Sequence, residues 1–182
     1  SFGVKGDVTL VRGALTSATF DSVRLNRGDD VSVTIKAAGK GYAVDVRGAA
    51  VDARSIIKTY LSDEAVSGTS SNSKSPPVSV NLVVDRLTGF HDETLSGAKL
   101  EVSVAGGALR SMVASAASDQ GGAIAVRNGA EGNRRFLEMQ SADAGSILRF
   151  LDIYRHMEGG TIRLAMSGPS TGSMKGQVDA TN

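Results

Sequence analysis

The chain alternates apolar and polar residues over short stretches, and this period of two constrains the fold more than any other feature. Between residues 4 and 51 four such runs are separated by turn-forming segments such as Arg27-Gly28-Asp29-Asp30 and Gly39-Lys40-Gly41. Alternation is typical of strands with one apolar face, and Gly, Asn and Asp suit tight reversals. The pattern predicts a meander of antiparallel strands, and it resumes from residue 78 onwards.

Two stretches change from strand spacing to helical spacing. The first follows Asp52, a candidate cap, and carries Ile56, Ile57, Tyr60 and Leu61. The second follows Asp143, and we predict a helix from there to residue 157, ended by Gly159-Gly160. The spacing of its apolar residues predicts one buried face, made of Ile147, Phe150, Leu151 and Tyr154. The fold class expected is therefore mainly β, of the α+β type, with two amphipathic helices packed on an antiparallel sheet.

The order of these patterns divides the chain into two related units. Residues 67 to 77 are rich in Ser and end in Pro-Pro, which predicts a flexible linker or a mobile loop between units 1 to 66 and 78 to 182. Gly13 to Ser17 matches Gly107 to Ser111, and Asp52 to Lys58 matches Asp143 to Arg149, in the same order. A duplication with a period of about 90 residues explains both matches, and coincidence between short, common strings is the alternative. The opening Ser1 and a predicted strand over 174 to 182 favour a fragment of a longer chain.

Composition argues against several classes of function. The 20 Lys and Arg residues nearly balance the 19 Asp and Glu residues, so no net field attracts nucleic acid. The absence of cysteine excludes disulfides and thiolate metal sites. The two histidines, His91 and His156, lack the spacing of a metal site, and no serine lies in a nucleophile motif. We therefore expect no catalytic residue, no metal site and no cofactor.

Medium-sized aliphatic residues share one side of successive predicted strands, and few aromatic residues are present to fill the space above them. Such a face is either the core of a closed domain or an open groove for an apolar ligand. Polar residues such as Asn81, Asp85, Lys99, Glu101 and Arg163 take the other side. The candidate apolar face consists of Val78, Val80, Leu82, Val84, Leu100, Val102, Val104, Ile162, Leu164 and Met166.

One region resembles a known family. The run from Ser141 to Tyr154, followed by Met157 to Leu164, is similar to a segment in the C-terminal regions of AsmA-like proteins, where a capped Asp-Ala-Gly helix precedes a Gly-Gly pair and a strand. Asn81 to Thr88 and Gly168 to Asp179 are also similar, so the resemblance covers most of residues 78 to 182. It is weaker over residues 1 to 66.

The resemblance implies a location and a role. AsmA-like proteins are long periplasmic proteins anchored in the inner membrane, and their repeated strands form a groove associated with phospholipid transport. It therefore implies a periplasmic module that contributes to phospholipid transport or outer-membrane homeostasis. Its partners would be phospholipid acyl chains and neighbouring domains of the same parent chain, with membrane contact only through that parent. The helices would interrupt a continuous groove, so a terminal or capping segment fits better. A purely structural module with no ligand is the alternative.

Overall fold

A computed structural model describes residues 3–26, 28–61 and 75–181, and these residues form one sheet with two short helices. The helices are α1, Arg54–Leu61, and α2, Ala144–Phe150. The strands of the described residues are β1 Gly3–Val11, β2 Ala14–Arg24, β3 Asp30–Ala38, β4 Gly41–Asp52, β5 Val78–Thr88, β6 Thr94–Ala105, β7 Ala108–Ser118, β8 Ala123–Glu131, β9 Arg134–Ser141, β10 Thr161–Pro169 and β11 Lys175–Thr181. The prediction of a mainly β fold is confirmed.

The strands lie in the sheet in the same order as in the chain, so every strand pairs with its sequence neighbours. All pairs are antiparallel except β4 and β5, which are parallel with Tyr42 opposite Val78. A parallel pair requires a crossover connection, because β5 must begin at the same end of the sheet as β4. Helix α1 lies in this connection. The sheet is open, with β1 and β11 as its two edge strands.

Tight reversals join the strands at one end of the sheet. Arg12 and Gly13, between β1 and β2, have φ values of 52° and 79°, and Gly106 and Gly107, between β6 and β7, have values of 60° and 72°. Two successive residues with positive φ are what a two-residue hairpin turn of type I′ requires. The sequence match between Gly13 to Ser17 and Gly107 to Ser111 thus falls on hairpins of the same kind.

The second sequence match falls on both helices but not on equivalent positions. Ile56 and Ile147 occupy the same place in the matched strings, yet the exposed fraction is 52% for Ile56 and 4% for Ile147. It is Ile57, one residue later, that enters the core. The two connections also differ, since α1 leads to a parallel pair and α2 to the antiparallel pair of β9 and β10. The duplication stays a prediction, as does the division into two units. Residues 67 to 74 of the predicted linker lie outside the described residues.

Helix α2 begins as predicted but is shorter than predicted. Asp143 is its cap, and the Asp143 carboxylate accepts a hydrogen bond from the backbone N–H of Ser146 at 3.0 Å. The helix ends at Phe150, and Asp152 then adopts a φ of 59°, which turns the chain away from the helix axis. Gly159 and Gly160 do not end the helix; their carbonyl groups accept hydrogen bonds from Gly145 and Ala144 at its start.

This early end changes the predicted buried face of the helix. Ile147 and Phe150 are buried, with 4% of each exposed, and Leu151 packs against the same core while partly exposed. The inclusion of Tyr154 was wrong, because it lies four residues beyond the helix and is 54% exposed. His156, which falls within the predicted span of the helix, likewise lies outside the observed helix and is exposed.

Two apolar clusters form the core of the described residues. The larger joins both helices to the sheet through buried side chains of Ala53, Ile57, Leu95, Ile124, Ala144, Ile147, Phe150 and Ile162. The smaller lies within the sheet around Val23, Val31, Val84 and Ala98. The core is therefore concentrated at the end of the sheet that carries the helices.

Candidate functional site

One face of the sheet is apolar over most of its width. Directly paired residues of neighbouring strands point to the same face, so the register defines rows of side chains that cross the sheet. One row consists of Val46, Leu82, Leu100, Ala114, Val126, Met139, Leu164 and Val178. The next row consists of Val44, Val80, Val102, Met112, Asn128, Leu137, Met166 and Gly176.

The register places all ten residues of the candidate apolar face on this side of the sheet. Val84 and Ile162 are buried, with exposed fractions of 1% and 8%. The other eight are only half-buried. The face therefore has a buried part and a part that other described elements do not fully cover.

The position of the helices explains this difference. Both lie at the end of the sheet where β4, β5 and β9 finish, and α2 packs on Leu95, Ile124 and Ile162. The rows farther along the strands contribute only partly buried side chains to the smaller cluster, or none. We call the two rows given above, together with Val78 and Val104, the open zone. The amide of Asn128 is the one polar side chain among these residues, and residue 176 is a glycine without a side chain.

The opposite face is polar. The Asn81 side-chain amide donates a hydrogen bond to the Asp45 carboxylate at 3.0 Å, across the parallel pair of β4 and β5. Arg127 and Glu138 form an ion pair at 3.4 Å between β8 and β9. Lys99, Glu101 and Arg163 are exposed on this side. A sheet with one polar and one apolar face has only the apolar face to bury against something else.

The predicted apolar face contains residues of β5, β6 and β10 and none from the other strands of the open zone. The structure adds Met112 and Ala114 on β7, Val126 on β8, and Leu137 and Met139 on β9. Their alternation is as regular as that of the predicted strands. What identifies them as part of the same face is the register, which depends on hairpin turns and β-bulges such as that between Ser96 and Lys99.

Charged side chains near α2 join this helix to the turn between β5 and β6. Glu93 accepts a hydrogen bond from the Ser146 hydroxyl at 2.6 Å and forms an ion pair with Arg149, which also donates to the Met157 carbonyl. His91 lies 2.6 Å from Asp152, which joins the β5–β6 turn to the chain after α2. The turn over residues 89 to 93 therefore also fixes the position of α2.

Asp52 forms an ion pair and a hydrogen bond at the start of α1. Its carboxylate forms an ion pair with Arg54 and accepts a hydrogen bond from the Arg54 backbone N–H at 3.1 Å. The hydrogen bond from the Arg54 side chain lowers the pKa of Asp52, and burial only partly opposes this. Among the residues that the structure describes, no group of three or more His, Cys, Asp or Glu side chains is placed to hold a metal ion.

The chain was compared with protein families, curated proteins and solved structures, and none of them matches it. The resemblance to AsmA-like proteins therefore stays a prediction. Neither α1 nor α2 is long and apolar enough to cross a membrane.

Proposed function

We propose that the chain is a non-catalytic module of a larger periplasmic, AsmA-like protein, and that its open zone contacts phospholipid acyl chains. The observation that carries this proposal is the register, which brings aliphatic side chains from eight consecutive strands, β4 to β11, to one half-buried face. Water-exposed apolar faces of this extent are unusual in soluble proteins unless a partner or ligand covers them.

The dimensions of the open zone suit an acyl chain. Four residue steps separate Val78 from Leu82 along β5, which corresponds to about 13 Å at a rise of about 3.3 Å per residue. One leaflet of a bilayer has a hydrocarbon thickness of about 15 Å, half of the usual core. The open zone is therefore long enough to contact most of an acyl chain that lies along the strands.

The rival is a structural module whose apolar face packs against another domain of the parent chain. The edge strands favour this reading, since all nine residues of β1 are exposed, including Val4 and Val8. An unpaired edge offers backbone hydrogen bonds to an additional strand. In this case the open zone would be part of an interdomain core and would not contact lipid.

The two proposed functions differ in whether phospholipid binds to the open zone of the isolated chain. Because the chain has no cysteine, one cysteine can be placed at Leu82 or Val102 and labelled with a polarity-sensitive dye. We expect dispersed phospholipid to shift the emission of both labels to shorter wavelength. Labels at the neighbouring positions Asn81 and Glu101 serve as controls and should not respond. Equal responses on both faces, or none on either, would favour the structural module.

A further inference from the structure

The two ends of the sheet differ in charge. The helix-free end carries the turns at residues 12–13, 39–40, 106–107, 132–133 and 170–174. Within three residues of these turns the only carboxylate is Glu131. The cations in the same stretches, which we call the basic rim, are Arg12, Lys36, Lys40, Arg110, Arg134, Arg135 and Lys175.

The cations of the basic rim are free of carboxylate partners within the part of the chain that the structure describes. Arg134 donates only to the Ser167 hydroxyl, and Arg135 only to the backbone carbonyls of Pro169 and Gly172. At the other end of the sheet, Arg24, Arg54 and Arg149 are all in ion pairs. The basic rim therefore keeps an uncompensated positive potential, whereas these three arginines of the helix-bearing end are each paired with a carboxylate.

Exposed apolar side chains lie directly beside these cations. Leu10 and Val11 precede Arg12 and are 61% and 55% exposed, and Leu109 precedes Arg110 and is 43% exposed. A nucleic-acid backbone or an acidic protein surface would attract the cations but would leave these leucines in water. A bilayer with anionic headgroups accepts both, because basic residues bind its surface and apolar residues enter the acyl boundary.

We infer that the helix-free end of the sheet docks on the surface of an anionic lipid bilayer through the basic rim and its neighbouring leucines. In this orientation the strands run away from the membrane, and the open zone begins at the bilayer surface and ends at the helices. The inference extends the proposed function by giving the module a direct membrane contact, in place of contact only through its parent. It concerns the end of the sheet, so its test is independent of whether acyl chains enter the open zone.

Co-sedimentation of the chain with vesicles tests the inference. We expect binding to vesicles of phosphatidylcholine and phosphatidylglycerol in equal parts, and none to phosphatidylcholine alone. The double variant Arg12→Gln and Lys40→Gln should lower the partition coefficient about 25-fold, since each basic residue near an anionic surface contributes about fivefold. Leu10→Ser with Leu109→Ser should also weaken binding, because it removes apolar side chains without changing charge.

A matched control removes the same charge elsewhere. Lys99→Gln with Arg163→Gln alters two exposed cations on the polar face, far from the turns, and should leave the partition coefficient within about twofold, because the headgroup attraction decays within a Debye length. Circular dichroism must show that every variant is folded. Equal losses in the control and rim variants would overturn the inference, as would absence of binding at low salt. Binding that the leucine substitutions leave unchanged would also overturn it, since the rim would then be a general site for polyanions.

Discussion

Replacing Ile147 and Ile56 separately by alanine tests whether the two helices occupy equivalent positions. The sequence repeat aligns these residues, so a strict duplication predicts similar losses of stability. The structure predicts different losses. Ile147 is 4% exposed and contacts both the sheet and the chain around α2, whereas Ile56 is 52% exposed on α1.

The magnitudes follow from burial. Ile147→Ala should lower the free energy of unfolding by about 2 to 5 kcal/mol, the range for a buried aliphatic side chain that leaves a cavity. Ile56→Ala should cost less than about 1 kcal/mol, because roughly half of its surface is already in water and alanine favours helix. Urea denaturation followed by circular dichroism measures both values. Losses that agree within about half a kcal/mol would refute the placement of the helices.

Three further predictions concern the helix termini. Asp143→Ala should cost about 1 kcal/mol in urea denaturation through the lost cap on the Ser146 N–H, and no change would mean that α2 begins elsewhere. Gly145→Ala should lower the melting temperature, because an added Cβ would lie 2.4 Å from the backbone oxygen of Met157, and Ala142→Gly, at an exposed neighbouring position, is the control. The lowered pKa of Asp52 means that its ionised form stabilises the fold above its ordinary pKa, and that this contribution is lost as the pH falls through the lower folded value. Asp52→Asn should therefore reduce the loss of stability on acidification below pH ~4, and an unchanged acid profile would contradict this.

Much of the fold was predictable because alternation and turn residues are local signals. The strands around Val44, Leu82, Val102 and Leu164 follow from apolar residues at every second position. The cap at Asp143 follows from one residue type in front of an apolar run. The parallel pairing of β4 with β5 was not predictable from these signals, since it depends on where the chain after α1 returns to the sheet.

The errors came from treating periodicity as sufficient. Tyr154 has helical spacing relative to Ile147 and Phe150. The helix ends at Phe150, however, and the positive φ at Asp152 turns the chain away before Tyr154. The net charge of +1 says nothing about where the charges lie, and the topology gathers cations such as Arg12, Lys40 and Lys175 at one end of the sheet. A sum over the sequence cannot show such a separation, because it depends on which turns lie at the same end.

The central claim is that acyl chains contact the open zone, and photo-crosslinking in cells tests it most directly. A photoreactive residue would replace Leu82, Val102 or Leu164 in the full-length protein, with Asn81 and Glu101 on the polar face as controls. The account predicts phospholipid adducts at the first three positions and none at the two controls. Absence of a lipid adduct at all three open-zone positions, in a protein shown to be folded and functional, would contradict it.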